Sequence, residues 1–416
     1  MLQPKQAISA CILISALLPP LATHAATYYV ATTGSNSNPG TSSQPWLTIA
    51  YATAKMVAGD LTYVRGGKYN EGTIQFGTSG TQSAPIKLLS APGESPIINF
   101  IDKKQLHRVL FQNKAGAQHP IGWITIEGFQ IAHAYDGIKI YNGHDLTIRR
   151  NWIHHSEYQG ILGNGTRILI DRNMINHNGG FDACVAYKPR CTLDHGIYMN
   201  GTAITITNNL LFDNLAMGIQ INGSKSSTYK PDFHPGPEFA VSENWIIANN
   251  TIAYENHGPA IIVWGSTCNN ARIENNIFYE NYVNGSSSNT NGVSFSSASC
   301  TGIMIRNNLF YASGNGGAEA FGSRATEGIH YVQSDNIVNA SAPGFINAPA
   351  ALPASPNFAL TARSPAIDAG VTLTAIREAF DGTPRPHGRA FDIGAYEHKD
   401  ASDGQEPAAP KSLQAR

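Results

Sequence analysis

From about residue 124 the chain alternates apolar and polar side chains in short runs, and the runs recur. One half of the unit reads EGFQI (127–131), RNWI (150–153), RNMI (172–175), NNLL (208–211), NNTI (249–252), NNIF (275–278) and NNLF (307–310). The other half reads DGIKIYNG (136–143), QGILGNG (159–165), HGIYMNG (195–201), MGIQING (217–223), PAIIVWG (259–265) and NGVSFSS (291–297). Alternation with period two is the signature of a strand, and no helical period competes with it here. The shortest spacing is about 22 residues, and longer spacings are that unit plus an insertion. A repeat of this size marks a solenoid, in which strands too short to bury a face alone stack on the next coil. The leucine–asparagine signature of a leucine-rich repeat is missing, and a propeller needs a longer unit. Ile138, Ile161, Ile197 and Ile219, each after a glycine, and Ile261, after Ala260, are expected to form one interior row. The recurring Asn151, Asn173, Asn209, Asn250, Asn276 and Asn308 are expected to form a structural amide ladder at a turn.

Both ends carry further sequence of the same kind. TYYVATTGSNSNPGTSSQPWLTIAYATAKMVAGDLTYVRGGKYNE (27–71) resembles the N-terminus of bacterial secreted right-handed parallel β-helix repeat proteins, the pectate- and alginate-lyase-like superfamily. SPAIDAG (364–370) with DGTPRPHGRAFDIGAYE (381–397) resembles the segment that often closes such helices. The resemblance implies an all-β chain: one right-handed parallel β-helix domain over 26–397, followed by a flexible tail over 398–416. A short amphipathic helix around Ile49–Val57 would cap the open first coil, whose edge would otherwise invite aggregation. Lyases, hydrolases, epimerases and adhesins all use this fold, so the fold alone does not select a reaction.

The first 25 residues read as a secretory signal peptide: Lys5 in a basic start, an apolar run from Ile8 to Leu21 too short to span a bilayer, and a small-residue cleavage site at Thr23–Ala25. The protein is expected outside the cytoplasm, secreted or periplasmic, with no membrane partner after cleavage, and to act as a monomer. The formal net charge is −1, which implies no nucleic-acid partner. Charged residues make up 14%, so Asn, Ser, Thr and Tyr must supply the surface polarity. Four cysteines remain after the leader, an even number that suggests disulfides. The simplest of three connectivities pairs Cys184 with Cys191 and Cys268 with Cys300. Neither pair has the CxxC spacing of a zinc site.

Aligning the coils sorts the polar residues into outward columns. One holds Asp136, Gln159, His195 and Met217; the next holds Lys139, Leu162, Tyr198 and Gln220; a third holds Tyr141, Asn164, Asn200, Asn222 and Trp264. The largest insertions, 179–194 and 223–239, flank the same coils and bring Tyr187, Lys188, Arg190, Tyr229, Lys230 and His234. Aromatic rings stack on sugars and cations attract uronate carboxylates, so a polysaccharide is the expected partner. Asp194, His195 and Tyr198 form the sharpest constellation. In β-elimination a base takes the proton α to a uronate carboxyl and an acid assists the leaving oxygen. His195 and Tyr198 are assigned to proton transfer, with Asp194 orienting His195. Asp136, Lys139, Tyr141, Lys188, Arg190, Asn200, Gln220, Lys230 and His234 are assigned to substrate binding. The set Lys, Asp, His, Tyr also resembles that of alginate-type epimerases, although their DPH motif is absent, since His195 follows Asp194 directly. The Asp cluster of calcium-dependent relatives is missing too, so no cofactor or metal is expected, with calcium as the alternative. A glycoside hydrolase would need two carboxylates across the scissile bond. Asp136, Asp182, Asp194, Asp232 and Glu238 are available, but no two share a column in adjacent coils. A non-catalytic glycan-binding or surface protein is the third alternative. His133, His155, His177 and Asp213 align at a coil corner and read as structural.

Overall fold

The computed structural model describes residues 25–100, 109–186, 191–223, 241–265, 268–282, 292–296, 300–313, 321–323 and 331–399. It is a right-handed parallel β-helix, built from a 22-stranded and a 10-stranded parallel sheet that face each other across one core. The predicted interior row forms as expected. Ile138 pairs in register with Ile161, Ile197, Ile219 and Ile261 on successive coils, and all five are fully buried. Across the core, Ile153, Ile175, Leu211, Ile252, Phe278 and Phe310 make the matching row of the smaller sheet.

The asparagines form the expected ladder and extend it. Each side-chain oxygen accepts the backbone N–H of the ladder residue one coil before, from Asn151 to Phe129 at 3.0 Å through to Asn336 to Asn308 at 3.0 Å. The residue before each of the six predicted asparagines has a positive φ, from 50° to 55°. L-residues adopt that region at a cost, which the two-ended amide contacts offset. A second ladder was not anticipated. It runs through Ser156, Asn178, Asn214, Glu255, Asn281 and Ser313 at the opposite end of the small sheet. Glu255 stands where an amide belongs: its two oxygens accept from Asn214 N and Nδ2 at 2.9 and 3.1 Å.

The capping helix forms at Ile49–Lys55. Thr48 caps it, both oxygens of Glu71 accept its first amides at 2.8 Å, and Ile49 and Ala52 bury themselves against the first coils. A second helix, Phe181–Ala186, lies in what the sequence presents as a loop insertion. Both expected disulfides are present, Cys184–Cys191 and Cys268–Cys300, each with Cα atoms 4.7 Å apart. Cys268 and Cys300 sit face to face on adjacent coils.

The C-terminal segment departs from expectation. Instead of closing the end of the solenoid, it runs back over the outer face of the ten-stranded sheet. Phe358, Leu360, Ile393 and Tyr396 pack on Met174, Leu210, Phe212, Ile277 and Leu309 to make a second apolar core. Those outward residues are apolar because they, too, are covered. Buried Arg385 pins the strap, bonding Glu397 at 2.5 Å and Asn208 at 3.1 Å. Order continues past the expected boundary: His398 N–H bonds Asp392 and Lys399 pairs with Asp381 at 2.9 Å. The expected leader and the rest of the tail lie outside the described residues. Among the described residues no helix is long and apolar enough to cross a membrane.

Burial pushes the Glu255 carboxyl well above its ordinary value. A raised folded value means the folded state holds the proton over a pH range in which the unfolded state has lost it. Stability must then fall as pH rises above the ordinary glutamate range. Glu255→Gln keeps the ladder without that penalty and is expected to flatten the decline, measured by denaturant unfolding at pH 5 and pH 8. An equal loss of stability between those two pH values in both proteins would contradict this.

Candidate functional site

Five strands of the large sheet carry the predicted columns: Ile138–Arg149, Ile161–Thr166, Ile197–Thr202, Ile219–Gly223 and Ile261–Gly265. Lys139, Leu162, Tyr198, Gln220 and Ile262 share one row across them. Asn164 pairs with Asn200, and Asn222 pairs with Trp264. Gly165 and Gly201 close these turns because a side chain there would meet the carbonyl of the preceding coil, that of Gly143 or Gly165 respectively. Tyr141 does not fit the expected column. The register shifts between Ile140 and Gly143, so Tyr141 and Asn142 together oppose Asn164 in a bulge. Asn142 takes φ 49° there and donates its N–H to Asn164 Oδ1.

The strip is far less open than a sequence column suggests. Asp136, Lys139, Tyr141, His195, Asn200 and Gln220 are all buried, His195 to 2% exposure. The Lys139 ammonium lies 5.2 Å from the ring centre of Tyr141. Its charge is thereby held beside an aromatic face.

His195 is held from below. Gln159, one coil earlier, accepts the His195 N–H at 2.5 Å and donates to Leu193 O at 2.9 Å. The His195 ring stands edge-on to Tyr198, with centroids 5.5 Å apart. Burial pushes the imidazole down to about 3, opposed by a hydrogen bond with Gln220. The ring is therefore neutral at neutral pH, and its Nδ1 has no hydrogen-bond partner. Burial pushes the Tyr198 phenol up to about 12, so it keeps its proton. Its oxygen accepts from Asn222 Nδ2 at 3.1 Å. Lys139 lies two coils from Tyr198, about 9–10 Å at the usual strand spacing.

Asp194 has a different place from the one its position beside His195 suggests. It is fully buried, and Oδ2 accepts the Gly180 N–H at 3.0 Å, at the start of the helix Phe181–Ala186. The side chain that hydrogen-bonds the His195 ring is Gln220. Gln159 and Asn222 are contacts that sequence reasoning left out of the site, although both stood in the aligned columns. Lys188, Arg190, Lys230 and His234 lie outside the described residues, as do Asp232 and Glu238.

Among the described residues no carboxylate cluster forms a calcium cage. The one group of metal-type ligands that converges is Cys184, Cys191 and His257, and its two sulfurs are joined as a disulfide. Of the carboxylates weighed for hydrolysis that lie among the described residues, Asp136 and Asp194 are buried and Asp182 is exposed. A different pair faces a common cavity. Asp213 and Glu280 occupy one corner column two coils apart, and with Tyr254, Asn256, Tyr282 and Leu352 they line a cavity of about 550 Å³. His177 and Asn256 bond Asp213 at 2.8 and 3.1 Å, and burial raises Glu280.

Comparison with known proteins agrees with this architecture. Residues 28–190 match the family described as Pel9A-like, right handed beta helix region. An uncharacterised protein of Bacillus subtilis, YwoF, is 23% identical over 213 residues, covering 49% of this chain and 45% of that one. Pectate lyase PEL9 of Emericella nidulans is 42% identical over 76 residues, 18% of each chain. The matches thus span less than half the length of either relative. The crystal structure of pectate lyase Pel9A superposes with a TM-score of 0.51 at 18% identity, over 90% of this chain and 96% of that chain. The chain therefore has a right-handed β-helix fold similar to that of pectate lyase Pel9A, and its residues 28–190 are similar to the Pel9A-like region.

Proposed function

We propose that the protein is an exported polysaccharide lyase that cleaves a uronate-containing glycan by β-elimination. The observation that carries this reading is the pairing of a neutral imidazole with a protonated phenol, His195 against Tyr198, on the outward face of a pectate-lyase-like β-helix. His195 Nδ1 takes the proton α to the uronate carboxyl. The electron pair left on that carbon forms the new double bond, the glycosidic C–O bond breaks, and Tyr198 gives its proton to the departing oxygen. Lys139 attracts the carboxylate of the bound sugar or of its neighbour, which makes the α proton more acidic. Asp194 anchors the 179–194 insertion that borders the site, and Gln159 and Gln220 hold His195 on its backbone and ring sides. The epimerase outcome needs the same first step with the proton returned to the opposite face. A location outside the cytoplasm, secreted or periplasmic, is supported by the leader-like first 25 residues and the two disulfides.

Hydrolysis has one observation in its favour, the carboxylate pair Asp213 and Glu280 across their cavity. Two coils of separation, about 9–10 Å, falls near the spacing that leaves room for an attacking water, roughly 6.5–9.5 Å.

A panel of uronate and neutral polysaccharides separates the two reactions. Elimination produces an unsaturated uronate that absorbs in the ultraviolet, whereas hydrolysis produces new reducing ends alone. Under the lyase reading, His195→Ala and Tyr198→Phe should each lower turnover roughly 10²-fold or more, and Lys139→Ala should mainly raise KM. Full activity in both proton-transfer variants would sink the assignment. Reducing ends without absorbance, lost in Glu280→Gln, would move the chemistry to the corner cavity.

The protonation of His195 can be read separately. Carbon and nitrogen NMR of the imidazole should show the neutral ring throughout pH 5–8, against an ordinary value of 6.5. Because the folded value is depressed, the stability His195 contributes is complete above pH 6.5 and is lost as pH falls toward 3. Titration of His195 near pH 6.5 would show that the ring is not desolvated.

A further inference from the structure

The five tryptophans are not placed alike. Trp46 and Trp245 are buried, Trp123 and Trp152 are half-buried, and Trp264 is 43% exposed. Trp264 lies in the strand Ile261–Gly265, between an inward Val263 and the end of the strand. It pairs with Asn222, whose amide donates to the Tyr198 hydroxyl. Its side chain therefore leaves the large sheet on the same face as the candidate site, two coils further along the solenoid. Lys139, Leu162, Gln220 and Ile262 on that face are each less than one-tenth exposed. Leaving an indole in water there forgoes about 25 cal/mol for every Å² of apolar surface not buried. A polar side chain in that position would carry no such cost. A part-exposed aromatic ring beside the Asn222 amide matches a sugar ring, which offers C–H groups on its face and hydroxyls at its edge.

We propose that Trp264 is a stacking platform for one sugar ring of the glycan, and that the glycan lies along the solenoid axis across the site. This rests on the reading of the protein as carbohydrate-active. Strands on adjacent coils are about 4.8 Å apart, close to the width of one pyranose ring. Tyr198 and Trp264 are two coils apart, and Lys139 lies two coils to the other side of Tyr198. From Lys139 to Trp264 the face spans four steps, about 19 Å, or roughly four sugar rings. The substrate class is then a polymer engaged on both sides of the cleaved bond, which is internal cleavage of a chain.

The test uses oligogalacturonates of two to six units with the full-length protein. The wild-type protein should show a KM for the hexamer at least tenfold below that for the dimer. Trp264→Ala should remove most of that advantage, and Trp264→Phe, which keeps an aromatic face, should restore much of it. Binding is followed independently of cleavage by tryptophan fluorescence in a His195→Ala background, where the hexamer should alter emission from Trp264 and have little effect in the additional Trp264→Phe variant. Cleavage with an unchanged hexamer-to-dimer ratio in Trp264→Ala overturns the platform and leaves the lyase reading standing. A Trp264-dependent fluorescence change without any cleavage supports the platform and sinks the lyase reading. Neither cleavage nor a fluorescence change, with this probe series, overturns both.

Discussion

Everything in this molecule depends on each coil spending its hydrogen bonds on the coils beside it. A single coil has neither a buried face nor a satisfied corner. The parallel ladders pair the strands, and the amide ladder pairs the corners, where non-glycine residues sit at positive φ. Asn is suited to this place because one side chain both accepts from the backbone of the coil before and donates to a carbonyl. Asn209, for example, accepts from Asn173 N and donates to Ile170 O, each at 2.8–2.9 Å. Because the ladder fixes the vertical register, a residue's column follows directly from its distance to the nearest ladder asparagine. Insertions of any length can then leave the stack without disturbing it, as the steps of 22, 36, 41 and 26 residues along the ladder show.

Parallel sheets are stable when both faces are covered, and the ten-stranded sheet follows that rule where the C-terminal strap packs on it. The ten-stranded sheet is covered outside by the C-terminal strap, whose apolar side chains meet a second row of Met, Leu, Phe and Ile. On the large sheet Lys139, Asn164, Asn200, Gln220 and Asn222 of the site coils are also withdrawn from water, although they are polar or ionisable. Desolvation then dictates their chemistry: it favours the neutral form of every group. It favours the neutral imidazole at His195 and the protonated phenol at Tyr198, whose ordinary values already lie more than three units apart. The same physics acts on Glu255 in the second ladder, where it has a structural consequence.

The 179–194 insertion shows how a loop is given a fixed position on such a scaffold. The disulfide Cys184–Cys191 closes it, Asp194 ties its base to the Gly180 amide, and Gln159 reaches up from the previous coil to hold Leu193 and His195. The helix Phe181–Ala186 is one turn and a half within this clamp, and Phe181 stacks on His177 of the corner column, with centroids 4.5 Å apart. The histidine corner is thus part of the support for the insertion.

The amino-acid sequence by itself determined the solenoid, the interior isoleucine row and the amide ladder, and it offered the capping helix and the local cysteine pairing as the simplest readings. These follow from period and spacing, and in a stack of parallel coils spacing decides which residue lies above which. It also placed Lys139, Tyr198 and Gln220 in one row. Other features were decided only by the tertiary structure. The bulge at Tyr141–Asn142 depends on one extra residue that alternation cannot distinguish from a longer turn. The partner of His195 is Gln220, from the next coil, because neighbours along an extended chain diverge while neighbours across coils converge. The strap over the small sheet, the cavity joining Asp213 to Glu280 and the exposure of Trp264 are all products of segments distant in sequence meeting or failing to meet. Burial is a property of that meeting, and with it the protonation states on which any chemistry at His195 and Tyr198 depends.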